Sequence, residues 1–102
     1  MTVQPAILTL AVKGVYFDQM VAREKPFEYR LRTPYWTKRL VGRTYTHVCV
    51  TRGYPAADDT ERRLVVPWQG YEEQVLQHEH FGPEPVEVFA IRIWPEGTPA
   101  NR

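Results

Sequence analysis

The first cluster of apolar residues is Ile7-Leu8-Thr9-Leu10-Ala11-Val12, a short β-rich run that predicts a strand ending near Lys13-Gly14. The period then changes. Phe17, Met20 and Val21 recur at helical spacing, which predicts a short helix over Tyr16 to Glu24 with Asp18, Gln19 and Arg23 turned to water. Pro26 stops that helix and pushes Lys25 toward extended geometry, so a strand follows over Phe27 to Arg32. Alternation along it puts Phe27, Tyr29 and Leu31 on one face and Glu28, Arg30 and Arg32 on the other. Thr33-Pro34 then reads as N-cap and first helical residue of a second helix, with Trp36 and Leu40 four apart, Lys38 and Arg39 beside them, and Gly42 as its end.

The rest of the chain is strand-rich. Tyr45 to Thr51 predicts a strand closed by Arg52-Gly53-Tyr54-Pro55, a polar loop follows over residues 55–61, and Arg63 to Val66 forms a short strand stopped by Pro67, with a turn at Gln69-Gly70. Tyr71 to Glu79 has Glu and Gln that favour helix, yet its two aliphatics, Val75 and Leu76, are adjacent and make no helical stripe, so a strand is expected. Val86 to Trp94 is a nearly continuous apolar run suited to the centre of a buried sheet, and Pro95 to Arg102 reads as a frayed tail. The expectation is an α+β domain over residues 1–94 with a flexible tail over 95–102. Its five or six mostly antiparallel strands and one or two short helices would close, at least in part, into a small β-barrel, which removes exposed edges.

Composition agrees with a single core. The 102 residues are 43% hydrophobic and 25% charged, which excludes a disordered, collagenous or disulfide-rich chain. No stretch approaches the ~20 apolar residues of a membrane span, and Met1 to Ala6 has neither a basic segment nor a long apolar one, so a cytoplasmic protein is expected. Cys49 is the one cysteine, flanked by Val48 and Val50, and reads as a small buried hydrophobe rather than a reactive thiol.

Charge changes the picture more. The formal net charge is +1, but residues 1–54 sum to +6 and residues 55–102 to −5. The basic half is interleaved with Tyr16, Phe17, Phe27, Tyr29, Tyr35, Trp36, Tyr45 and Tyr54, the combination of cations for phosphate and rings for bases that single-stranded nucleic acid needs. Mutual neutralisation of two packed halves would give the same composition.

Within that half, Arg23-Glu24-Lys25-Pro26-Phe27-Glu28-Tyr29-Arg30 resembles the G-x-K-x-x-E-x-R signature of the ASCH domain family, small β-barrels related to the PUA RNA-binding fold. Lys25, Glu28 and Arg30 match, and Arg23 stands in place of the glycine. The preceding strand and helix and a closing strand like Val86 to Ile93 extend the resemblance from about Ile7 to Trp94. The resemblance implies a PUA-like barrel that binds RNA. One enzymatic branch it suggests is an amidohydrolase of N4-acetylcytidine with a Thr nucleophile three residues after the signature Lys. Glu28 occupies that position here, so this chemistry is disfavoured. A ribonuclease branch uses Tyr, Lys and Ser, and this chain contains no Ser.

On chemistry alone, Arg30 offers a planar fork for phosphate or a guanine edge, Glu28 can accept from a cytosine amino group, and Lys25 is a mobile charge. A simple exposed ion pair of Glu28 with Lys25 or Arg30 is the alternative, worth at most ~1 kcal/mol. For Lys25 to act as a base its pKa must fall toward neutrality, pushed by Arg23 and Arg30 and opposed by Glu28. Elsewhere, His78 and His80 would share a strand face and hold a metal only with a third donor such as Asp58, Asp59 or His47, so no metal or cofactor is expected. Arg52-Gly53-Tyr54 at a strand end combines a phosphate contact with a stacking ring, or is a plain turn. Trp36 reads as core before stacking platform. The function expected is therefore binding of RNA or single strands, with no membrane partner. Lys25, Glu28, Tyr29, Arg30, Tyr35, Lys38, Arg39, Arg52 and Tyr54 form the contact set, and the alternative is a hydrolase in which Lys25 and Glu28 are catalytic.

Overall fold

Residues 6–100 are described by a computed structural model of the chain. In order they form β1 (Ile7–Val12), α1 (Gly14–Val21), β2 (Phe27–Leu31), α2 (Pro34–Leu40), β3 (His47–Arg52), β4 (Arg63–Pro67), β5 (Tyr71–Leu76), a 3-10 turn (Glu79–Phe81) and β6 (Val86–Arg92). The class is α+β. Among the described residues the strands make two three-stranded sheets, β1-β3-β4 and β2-β6-β5, and no closed barrel. The ladders are antiparallel except for β1 and β3, which run parallel from Ile7↔His47 to Val12↔Arg52. Parallel pairing needs a long crossover, and α1, β2 and α2 supply it.

Helix boundaries follow local chemistry. At α2 the Thr33 Oγ1 accepts the Trp36 N–H at 3.3 Å, so the Thr-Pro start works as the sequence implies. At α1 the start lies two residues before the expected Tyr16, at Gly14 after Lys13, which makes no side-chain cap. The Arg52 guanidinium packs over Gly14, where a Cβ would lie 2.6 Å from it and would make that flexible side chain shift. The helix ends at Val21 rather than Glu24 because Arg23 adopts a left-handed φ of 61°. An L-residue there costs about 1–2 kcal/mol relative to right-handed backbone. Its guanidinium stacks 5.2 Å from the Trp94 ring.

Leu8 and Leu10 of β1, Phe17 and Met20 of α1, Leu40, Val48, Val50, Phe89 and Ile91 form one buried cluster between the sheets and helices. Cys49 is buried in β3. Trp94 Nε1–H donates to the Met20 carbonyl at 2.6 Å, tying the exit of β6 to α1. The outer edge of the second sheet is guarded by the exposed Glu72 and Glu73 of β5. Of the expected tail, residues 95–100 hold a turn in which the Thr98 N–H and hydroxyl both donate to the Pro95 carbonyl, and residues 101–102 lie outside the described residues. No helix among the described residues is long and apolar enough to cross a membrane.

One expectation is corrected. The strand begun at Tyr71 stops at Leu76, so His78 and His80 do not share a strand face. Instead His78 caps the 3-10 turn, its Nδ1 accepting the His80 N–H at 3.0 Å. A side-chain contact links the two sheets, in which Arg30 Nη2 of β2 donates to the Ala11 carbonyl of β1 at 2.7 Å.

Candidate functional site

Antiparallel register places Glu28 opposite Ile91 and Arg30 opposite Phe89, so the charged row of β2 shares the face of two fully buried residues. Charge on an inner face must be paired. Arg30 Nη2 lies 2.9 Å from Glu28 Oε2, and Glu28 Oε1 accepts the Tyr29 N–H at 3.2 Å. The Glu28 side chain is 9% exposed and that of Arg30 21%, so the pair is largely buried rather than a solvated surface pair. Arg30 also stacks 4.9 Å above the Trp36 ring, while its Nε is buried without a partner among the described residues.

Around this pair lies a cleft of about 530 Å³. Its walls come from the end of β1 through Lys13, Tyr16 of α1, Lys25, Glu28 to Leu31 of β2, the start of α2 (Thr33, Tyr35, Trp36) and the 3-10 turn. Lys25 Nζ sits 4.7 Å from the Tyr29 ring and 5.2 Å from the Tyr16 ring. Opposite it, His80 meets the edge of Tyr16 at 6.1 Å. Arg30 and Lys25 act on one carboxylate, Glu28, and Lys13 stands in the same wall.

Burial raises the Glu28 pKa above its ordinary 4.5, against the pull of the Arg30 and Lys25 charges and of the hydrogen bonds from Arg30 and the Tyr29 amide. Burial lowers the Lys25 pKa below 10.5, and Glu28 pulls it back up. The expected downward push from Arg23 and Arg30 is therefore replaced by desolvation. Burial also raises the Tyr29 phenol above 10.0, with Glu72 adding to it. For stability the Glu28 sign is fixed. A carboxyl whose folded pKa exceeds its unfolded one stabilises fully below about pH 4.5, and that contribution is lost as pH rises through the folded value. The stability of the native chain relative to Glu28→Gln should accordingly fall as pH increases from 4 to 8 in urea unfolding, and a difference flat across that range would contradict the buried carboxyl.

Of the residues expected at the site, Lys25, Glu28, Tyr29, Arg30 and Tyr35 line the cleft. Lys38, Arg39, Arg52 and Tyr54 do not. Arg39 stacks 3.7 Å from the centre of the Tyr35 ring, Arg52 pairs with Asp18 at 3.3 Å, and Tyr54 is 96% exposed in its loop. Arg30, expected as a phosphate fork, spends Nη2 inside the protein on Ala11 and Glu28. Lys13, Tyr16, His80 and Phe81 line the cleft without having been expected there, and Trp36 is both packed on the core and part of the wall. No group of three or more His, Cys, Asp or Glu side chains suited to a metal is gathered among the described residues. The arrangement presents a carboxylate with free lone pairs, two lysines and several rings in one hollow. Comparison of the chain with protein-family models, curated proteins and solved structures returned no match.

Proposed function

We propose that this cleft binds RNA or single-stranded nucleic acid. The observation that carries the reading is the gathering of Lys25, Glu28 and Arg30 with the rings of Tyr16, Tyr29, Tyr35 and Trp36 in one concavity. Lys25 supplies charge for phosphate, an aromatic wall offers a stacking surface, and Glu28, oriented by Arg30, accepts from a base amino or imino group. A binding module of the ASCH type with a PUA-like arrangement, working in the cytoplasm, belongs to the same proposal. Its support is the Lys25, Glu28 and Arg30 spacing on one strand after a strand and a helix. The turn that the signature's glycine would ease is made by Arg23 in left-handed geometry.

The lowered pKa of Lys25 favours a second reading, a hydrolase of a modified nucleoside or of RNA with Lys25 as base and Glu28 beside it. Fluorescence anisotropy with a short labelled RNA tests the first. Lys25→Ala should weaken binding about tenfold and make the slope of log K against log salt shallower by ~0.7, the share of one phosphate contact on a single strand. Affinity unmoved by salt and by the substitution would remove the cleft from nucleic-acid binding. Turnover of N4-acetylcytidine or RNA that disappears in Lys25→Ala would establish the hydrolase instead.

A further inference from the structure

The cations nearest the cleft are few. Arg30 is neutralised by Glu28 at 2.9 Å, Arg52 is held by Asp18 at 3.3 Å, and neither Lys38 nor Arg39 reaches the lining. Among the described residues two further cations stand in the walls, Lys13 at the end of β1 and Lys25 between two tyrosine rings and within the field of Glu28. A strand crossing this surface would find no cation row for successive phosphates, and Glu28 would repel any second phosphate drawn inward. A phosphate monoester, by contrast, carries about −1.5 to −2 at neutral pH, a match for two lysines. The volume of about 530 Å³ is that of a site for one small-molecule-sized ligand.

Resting on the assignment of the cleft to nucleic acid, we propose that the unit it binds is one nucleotide bearing a terminal phosphate monoester, its phosphate on Lys13 and Lys25 and its base edge on Glu28. A free nucleoside monophosphate and the phosphorylated end of a strand share this chemistry.

Calorimetric titration with a nucleoside 5′-monophosphate, its nucleoside, and a decamer with and without a 5′-phosphate separates the possibilities. The monophosphate should bind within about fivefold of the phosphorylated decamer, and removal of the phosphate from either should cost about tenfold or more. Lys13 is exposed, so Lys13→Ala should fold normally and weaken the phosphorylated ligands about tenfold, well beyond its effect on the unphosphorylated decamer. The phosphorylated decamer should displace the monophosphate, because both present the same one-nucleotide unit; failure to displace it would overturn the shared site. An unphosphorylated decamer that binds as tightly as the phosphorylated one, and far more tightly than the monophosphate, would overturn the proposal while leaving strand binding intact. No binding of any of the four would remove both.

Discussion

Arg30→Ala should destabilise the protein by about 3 kcal/mol, because it leaves the Glu28 carboxylate inside the fold without its guanidinium partner. Three contacts go together: the 2.9 Å bond to Glu28, the 2.7 Å bond to the Ala11 carbonyl of the other sheet, and the stacking on Trp36. The Ala11 carbonyl is neutral, whereas Glu28 is a charge only 7% exposed, so its unpaired charge should be the largest part of the loss. A chain of this size is held by only about 5–15 kcal/mol, so the urea midpoint should fall visibly at unchanged slope. The pair, not the guanidinium alone, should be decisive. In the double substitution Glu28→Gln with Arg30→Met no charge is buried, and the loss should be smaller than the sum of the single ones by about 1 kcal/mol or more. A loss under about 0.5 kcal/mol for Arg30→Ala would mean that water reaches Glu28 freely.

Buried pairs of this kind rarely stabilise a fold better than apolar residues of the same volume would. Their presence on a strand otherwise facing Phe89 and Ile91 calls for another role. Arg30 holds Glu28 in place at the cleft wall, and on the proposed reading this would fix the direction in which an incoming donor is accepted. On the proposed nucleic-acid reading, Arg30 would position Glu28 before it touched a phosphate.

How much of this could be read along the chain depends on how local the governing physics is. The Thr33-Pro34 start of α2 is legible because the cap bond spans three residues. The start of α1 is not, since Lys13 offers no side-chain cap to mark it. Alternation sorted β2 into an aromatic and a charged row, but it carries no information on which row faces the core, and the register with β6 decides that. The candidate site divides in the same way. Lys25, Glu28, Tyr29 and Arg30 are neighbours in sequence and stay neighbours in space. Lys13, Tyr16, His80 and Phe81 join them only because β1 and the 3-10 turn are brought alongside by non-local packing. Lys38 and Arg52 looked equivalent to Lys25 in composition, yet a residue's position on the far side of a short helix or beside Asp18 is set by tertiary contacts that composition does not encode.

Phe89→Ala should bring the largest loss of all, about 3–5 kcal/mol, since the ring is fully buried at the centre of β6 and its removal leaves a cavity bounded by both sheets. Tyr71 meets its edge at 5.3 Å and cannot fill the gap without leaving its own strand position on β5. At roughly 4–8 °C per kcal/mol for a domain of about this size, the melting temperature should drop by ~15 °C or more, whereas Phe89→Leu should cost about 1 kcal/mol. Phe89 pairs with Arg30 across the ladder but does not line the cleft, which separates stability from binding. At a temperature where Phe89→Leu is fully folded, its affinity for RNA should equal that of the native chain within about twofold, while Lys25→Ala melts nearly normally and binds poorly. If Phe89→Leu instead lost binding as strongly as Lys25→Ala, the position of β2 on β6, rather than the cleft side chains themselves, would govern recognition.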